Sequence, residues 1–329
     1  MRNTITDIAG IRVGHAGDGK LGSGTTVVLF DKAVTASVDV RGGGPGTRET
    51  ALLDPAQTME GIDAIVLSGG SAFGLDAASG VQAWLREQGR GFRIRDAVVP
   101  IVPAAIMFDL LNGGDKNWGR YPPYREFGYE AAKSAGADCA LGSVGAGLGA
   151  TTATLKGGVG SASATTRDGI TVGALAVVNA VGTVVVGEGP HFWAAPFEQY
   201  GEFGGRGMKA ALAPADLALR AKGGPQENTT IAVIATDAKL SKAQCNRLAV
   251  MAQDGLARAI YPVHTPLDGD VVFAAATGDK ALSDPHYGLA GLGMLAANVM
   301  ARAIARGVYE AKALPFPGAL SAWKDKFGK

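Results

Sequence analysis

Gly224-Pro225-Gln226-Glu227-Asn228-Thr229-Thr230-Ile231-Ala232-Val233-Ile234-Ala235-Thr236 is the stretch on which the reading of this chain turns. A loop rich in Gly, Pro and polar residues runs straight into an apolar, β-branched strand, and Thr229 stands at the junction. A reacting side chain is held best at the end of a rigid element. If the Asn228–Thr229 bond breaks, Thr229 gains a free α-amino group beside its own hydroxyl. An α-amine has a pKa of about 7.7–8.0, so one residue supplies nucleophile and base near neutral pH. Asn-Thr-Thr ahead of a strand is also an ordinary strand start, and these residues alone leave both readings open.

Thirty residues further on, His264-Thr265-Pro266-Leu267-Asp268-Gly269-Asp270 leads into a second apolar strand, Val271 to Thr277. In extended chain, residues i and i+2 project to one side. Asp268 and Asp270 are therefore expected to face one place, with Gly269 leaving room between them. Paired carboxylates orient an ammonium or a hydroxyl and perturb each other's pKa. The alternative is a solvated Asp-Gly turn. Calcium is disfavoured because the DxDxDG loop with a terminal Glu is missing.

Upstream, Asn179 interrupts the apolar run Val177-Val178-Asn179-Ala180-Val181. It reads either as a turn residue or as an amide donor to a developing oxyanion. Lys156 is the only base in the long uncharged stretch Leu141 to Gly160, and it reads either as a solvated lysine or as part of a site. Three other motifs carry less. Gly69-Gly70-Ser71-Ala72-Phe73-Gly74 is not G-x-S-x-G. Arg41-Gly42-Gly43-Gly44-Pro45-Gly46 lacks the GK[ST] ending of a phosphate-binding loop. His15, His191, His264 and His286 have no metal-ligand spacing, so neither a metal nor a cofactor is expected.

Strands are expected at 25–30, 35–40, 62–67, 230–236 and 271–277. The run Ile170 to Val186 reads as a hairpin broken at Asn179 to Gly182. Helices are expected over 75–88, 126–135, near 214–221, over 241–260 and over 291–311. Consecutive strands with helices segregated between them favour an α+β layered sandwich over alternating βαβ units. The 49 glycines fall between apolar runs and suggest tight turns in layered β structure.

Composition bounds the function classes. With 47% apolar and 19% charged residues, the 329-residue chain reads as one compact domain. Its 31 basic and 30 acidic residues leave a formal charge of +1, which offers no electrostatic footprint for nucleic acid or an anionic membrane. No uninterrupted apolar run of ~18 residues suggests a membrane span. Two distant cysteines, Cys139 and Cys245, and an N-terminus without an apolar leader segment point to the cytoplasm.

Several motifs taken together resemble the P1 peptidase family, which holds the L-aminopeptidase/D-esterase, the β-aminopeptidases and the nylon-oligomer hydrolases. They are Ile5-Thr6-Asp7 with Val13-Gly14-His15, Val38-Asp39-Val40-Arg41-Gly42-Gly43 with Pro45-Gly46-Thr47-Arg48-Glu49-Thr50, Leu67-Ser68-Gly69-Gly70-Ser71-Ala72-Phe73-Gly74-Leu75, Asn228-Thr229-Thr230-Ile231 and Asp268-Gly269-Asp270. The Asn-Thr-Thr-Ile junction and the two aspartates look most like the nylon-oligomer branch. The resemblance implies an αββα sandwich similar to N-terminal-nucleophile hydrolases. It implies cleavage into chains 1–228 and 229–329 that stay associated, a homotetramer of such pairs, and a small amide or peptide substrate. By position Thr229 becomes the nucleophile, Asp268 and Asp270 its orienting acids, and Asn179 the oxyanion donor. Thr154 stands where the family often has lysine, with Lys156 two residues on, and Phe108 where the nylon hydrolases have tyrosine. Two rivals remain: an acyltransferase like the ornithine acetyltransferases, whose Ala-Thr-Met-Leu junction is missing here, and a non-enzymatic small-molecule-binding protein.

Overall fold

The computed structural model describes residues 1–222 and 228–328, so most of the loop expected ahead of Asn228 lies outside the described residues. In chain order the elements are β1 (Ile11–Asp18), β2 (Ser23–Val40), β3 (Gly46–Arg48), β4 (Ile62–Ser68), α1 (Ala77–Glu87), β5 (Phe92–Ile94), β6 (Ala97–Val99), β7 (Ala104–Ile106), α2 (Tyr124–Lys133), β8 (Val159–Thr165), β9 (Thr171–Asn179), β10 (Thr229–Ala238), α3 (Lys242–Ala259), β11 (Val271–Lys280), α4 (Tyr287–Tyr309) and α5 (Trp323–Phe327).

The runs read as two strands, 25–30 and 35–40, are one long strand. The first half of β2 pairs with β1 and β4, and residues 35–40 pair with β11. A register shift between Leu29 and Val34 lets β2 leave one sheet and enter the other. One sheet carries β3, β7, β4, β2 and β1; the other carries β2, β11, β10, β9 and β8. Among the described residues, β10–β11 and β4–β7 are the only parallel pairs of strands.

Side-chain parity sorts the layers, since alternate residues of a strand face opposite ways. Val28, Phe30, Ile65 and Leu67 of the first sheet share a core with Leu175, Val177, Ile231, Val233, Val271 and Phe273 of the second. The intervening residues face helices. Val27, Leu29, Ala64 and Val66 pack against α1 and α2. Ala174, Ala176, Ala232, Ile234, Val272 and Ala274 pack against α3 and α4. The result is the αββα sandwich, an α+β fold. Strands β9 and β10 are buried on both faces along their whole length, so they read as continuous apolar runs without alternation.

Helix α3 opens on a reciprocal cap: the Gln244 N–H donates to Ser241 Oγ at 3.3 Å, and the Ser241 N–H donates to Gln244 Oε1 at 2.9 Å. Helix α4 is long and apolar enough to cross a membrane by length and composition, and most of it is buried against α3, β8 and β9.

Two further expectations fail. The Ile170–Val186 run is not a hairpin: β9 ends at Asn179, and residues 180–186 leave the sheet, touching Tyr261 and Phe192 through single bridges. The hairpin is β8–β9, with the turn at Thr166 to Gly169. The helix expected near 214–221 is a single 3-10 turn, Pro214–Asp216.

Candidate active site

Thr229 and Asn179 are directly opposed in the antiparallel β9–β10 ladder. They share parity with Val177 and Ile231, so both side chains turn inward, toward the gap between the sheets, at the end where β10 begins. Directly opposed residues hold their Cβ atoms about 4.5–5.5 Å apart. A hydroxyl and a carboxamide are thus neighbours, and both residues are buried.

The Asp268-Gly269-Asp270 turn closes over this end. Asn228 pairs with Asp268 as a parallel bridge, and the Gly269 N–H donates to the Asn228 carbonyl oxygen at 2.7 Å. A Cβ on Gly269 would sit 2.7 Å from Thr229 Oγ1 and 2.7 Å from the Gly44 carbonyl oxygen, so only glycine leaves the threonine hydroxyl its space. The Arg41–Gly46 loop, which binds no phosphate by pattern, is the floor beneath this turn. A Cβ on Gly42 would lie 2.2 Å from the Asp270 nitrogen, and the Gly44 N–H donates to the Asp268 carbonyl at 2.8 Å.

Both carboxylates are buried, and their hydrogen bonds go to the neighbours of Thr229. Asp268 accepts from the Val181 N–H at 3.2 Å and from the Thr265 N–H and hydroxyl at 2.9 and 2.8 Å. Asp270 accepts from the Thr230 N–H at 2.7 Å and pairs with His264 Nδ1 at 2.9 Å. His264 takes φ 55°, a left-handed conformation uncommon for a side-chain-bearing residue. Burial raises the Asp268 carboxyl above its usual range, and the Asp270 charge adds to the rise. Its hydrogen bonds to Thr265 and Val181 oppose the rise. The solvated-turn alternative is therefore excluded for both acids.

Asn179 accepts at Oδ1 from the Thr151 N–H and from Lys222 Nζ, both at 3.0 Å, and donates from Nδ2 to the Phe108 carbonyl at 3.2 Å. It is the last residue of β9 and no part of a hairpin turn. Lys156 is 1% exposed, which excludes the solvated reading. Its ammonium donates to the carbonyls of Gly147, Ala150 and Gly157 at 2.7–2.8 Å, so its three protons are spent within its own loop. Burial pulls it down to about 7, against the opposing charge of Asp109. Thr154, where the family often has lysine, keeps a buried hydroxyl that has no hydrogen bond among the described residues.

A cavity of about 390 Å³ opens beside these groups, walled by Phe108, Asp109, Asn112, Lys156, Lys222 and Asn228 among others. Three residues here escaped the sequence reading. Lys222, only partly buried as a whole, has its ammonium on Asn179, where desolvation draws it to about 7. Asp109 is a lone acid in the apolar run Ile101 to Leu111, a signal that could have been followed. His264 lies in the same short segment as Asp270, where spacing marks it as no metal ligand and says nothing of its bond to the carboxylate. Among the described residues no group of three or more His, Cys, Asp or Glu could hold a metal ion.

Comparison with known proteins bears on the family and the fold. Residues 3–319 match the model of peptidase family S58. An uncharacterized aminopeptidase of Mycobacterium tuberculosis (strain H37Rv) is 48% identical over 99% of this chain and 98% of its own. A 6-aminohexanoate-oligomer endohydrolase of Kocuria sp. (strain KY2) is 27% identical over 83% of this chain and 74% of its own. Among solved structures, the L-aminopeptidase D-Ala-esterase/amidase of Ochrobactrum anthropi, described as a new variant of the Ntn hydrolase fold, superposes with a TM-score of 0.72. It is 21% identical, over 99% of this chain and 92% of that one. The β-aminopeptidase of a Burkholderia species gives 0.71 at 23% identity, over 99% and 92%. The likeness to these two structures speaks for the fold; the family model and the 48% identical relative speak for descent, and the resemblance drawn from the motifs holds. The chain belongs to peptidase family S58 and is a hydrolase of that family built on a variant of the Ntn hydrolase fold.

Proposed function

We propose that this protein cuts itself between Asn228 and Thr229 and then hydrolyses small amides or esters with Thr229 as its N-terminal nucleophile. The observation that carries the reading is the placement of the Thr229 hydroxyl beside Gly269, whose N–H already holds the Asn228 carbonyl oxygen. In the first step Thr229 Oγ1 bonds to the Asn228 carbonyl carbon and the C–N bond breaks. The hydroxyl proton passes to the departing nitrogen, leaving an ester and a free amine. Water then hydrolyses the ester, releasing the Asn228 carboxylate. In the mature enzyme the Thr229 amine takes the hydroxyl proton as the oxygen attacks a substrate carbonyl, and it returns a proton to the leaving group.

The second N–H of Asn179 Nδ2 and the Gly269 N–H are the donors suited to the oxyanion. Asp270 and Asp268 hold Thr230, His264, Val181 and Thr265, and through them they fix the end of β10. They position Thr229 from behind. Lys222 and Lys156 set the charge around Asn179 and the cavity.

The two pieces are expected to remain together, because β10 and β11 lie between β9 and β2, so parting them would break two full ladders. Buried Arg302 adds to this by binding Glu202 at 2.5 Å and Asn3 at 2.8 Å across the same division. Relatives named aminopeptidase and oligomer endohydrolase support an amide-bearing substrate with a free amine. Assembly into tetramers of such pairs belongs to the same reading.

Chromogenic amides and esters test it. Wild-type protein is expected to hydrolyse members of such a panel through an acyl group trapped on Thr229. Thr229→Ala is expected to lose activity by ~10⁴-fold or more. Full activity in Thr229→Ala would refute the assignment, and transfer of the acyl group to an amine in preference to water would favour the acyltransferase.

A further inference from the structure

Asp109 follows β7 and lies one residue beyond Phe108, whose carbonyl receives Asn179 Nδ2. It is 3% exposed and lines the cavity. Its Oδ1 accepts the Gly70 N–H at 2.8 Å, while Oδ2 carries no hydrogen bond among the described residues. The Ser23 hydroxyl shares a 3.0 Å hydrogen bond with the Tyr124 hydroxyl, in which either can donate, and lies against the carboxylate without forming a well-aligned bond to Oδ2.

The surrounding chain is cleared for this oxygen. A Cβ on Gly69 would stand 2.2 Å from Oδ2, and one on Gly149 2.5 Å from it. A buried carboxylate oxygen without a partner is costly unless a ligand supplies the donor. The cavity's own cations are committed elsewhere: Lys156 to three carbonyls and Lys222 to Asn179.

The same cavity is lined by Asn228, the residue on the acyl side of the proposed scission. A substrate's acyl half therefore occupies this side once Asn228 is released. Phe108, Leu111, Leu314 and Leu320 give the cavity apolar walls.

The geometry points to Asp109 as the specificity residue that binds a primary ammonium on the acyl half of the substrate, beside an apolar carbon chain. This rests on the hydrolase reading above and adds the group that selects the substrate. Burial raises the Asp109 carboxyl to about 6. The Ser23 hydroxyl and the Gly70 N–H oppose the rise, as do the charges of Lys116 and Lys156, and it interacts in turn with Lys222 and Tyr124. Selection for the amine is thus expected to weaken as pH falls through about 6 and the carboxyl is neutralised.

The experiment uses matched p-nitroanilides of apolar acyl chains, with the amine on the α, β or ω carbon, each paired with its des-amino counterpart. For at least one pair the wild type is expected to prefer the amine by tenfold or more in kcat/KM. That ratio should fall between pH 7 and pH 5. In Asp109→Asn it should drop at least ~10-fold, mainly through KM, and lose its pH dependence. The pH profile of the wild type needs no variant, so it stands even if Asp109→Asn folds poorly. A wild type without preference for the amine, or the same preference in Asp109→Asn, overturns this inference while leaving the hydrolase reading intact. A wild type that hydrolyses no member of the panel overturns both.

Discussion

Two acidic regions meet at the end of β10, and they are built on opposite plans. In the Asp268–Asp270 turn every carboxylate oxygen accepts a bond from the protein, and the donors are the backbone and side chains that surround Thr229. At Asp109 one oxygen is held and the other is left open toward a cavity, with glycines on both sides. Both regions are buried, and in both burial raises a carboxyl. What separates them is satisfaction. A saturated acid positions structure, whereas an unsaturated one in a cavity wall is poised for a ligand.

Substitutions test that contrast, and the largest effect is expected between the two regions. Asn179 is tied to Lys222 on one side and to the peptide ahead of Asp109 on the other. Asn179→Ala is expected to lower kcat by ~100–1,000-fold with the fold retained, as steady-state kinetics and circular dichroism would report. A drop confined to KM would remove Asn179 from the oxyanion.

The next effect is one of stability. In Asp268→Asn the new amide must set an N–H against either the Val181 N–H or the Thr265 donors. The expected loss is about 2–3 kcal/mol in urea unfolding, together with slower self-scission.

The smallest effect has the opposite sign. In Asp109→Asn the amide can keep the bond to Gly70 and place its NH₂ at the open position. The folded carboxyl titrates at about 6, above its unfolded value of 3.8. Its contribution to stability is therefore full below about 4 and lost as pH rises through about 6, a difference of up to ~3 kcal/mol. Asp109→Asn should accordingly be more stable than wild type at pH 8 by about 1–3 kcal/mol, with the gain gone near pH 4. Equal destabilisation by both substitutions at pH 8 would erase the distinction between the regions.

Much of this was legible in the sequence, for physical reasons that can be named. Residues 229–236 and 271–277 are rich in β-branched and apolar side chains because both faces are covered, and such runs announce strands. Asp268-Gly269-Asp270 could be read because spacing of two fixes a common face; Gly269 reads as room between the acids, and only the structure shows that its missing Cβ spares Thr229 Oγ1. Strand β8 could not be read. Its Val-Gly-Ser-Ala-Ser-Ala-Thr is built of small residues so that α4 can approach, and a Cβ on Gly160 would lie 1.8 Å from the Ala303 carbonyl.

Residues 180–186 misled for the converse reason. Their apolarity serves the core beneath loops, with Val184 and Val185 buried beside Phe192, and apolarity alone does not specify a strand. Lys222 reaches the site from a distant segment, through a contact that no local pattern encodes, whereas Asp109 stands out as the lone acid of the apolar run Ile101 to Leu111. Lys156 was found as the only cation in its stretch, yet its target proved to be three carbonyls of its own loop.

Intact-mass spectrometry of the purified, active protein puts the central claim to its most direct test. Two polypeptides are expected, one ending at Asn228 and the other beginning Thr229-Thr230-Ile231, with Thr229→Ala remaining whole. A single unbroken chain of 33.4 kDa in a preparation that hydrolyses amides would contradict it.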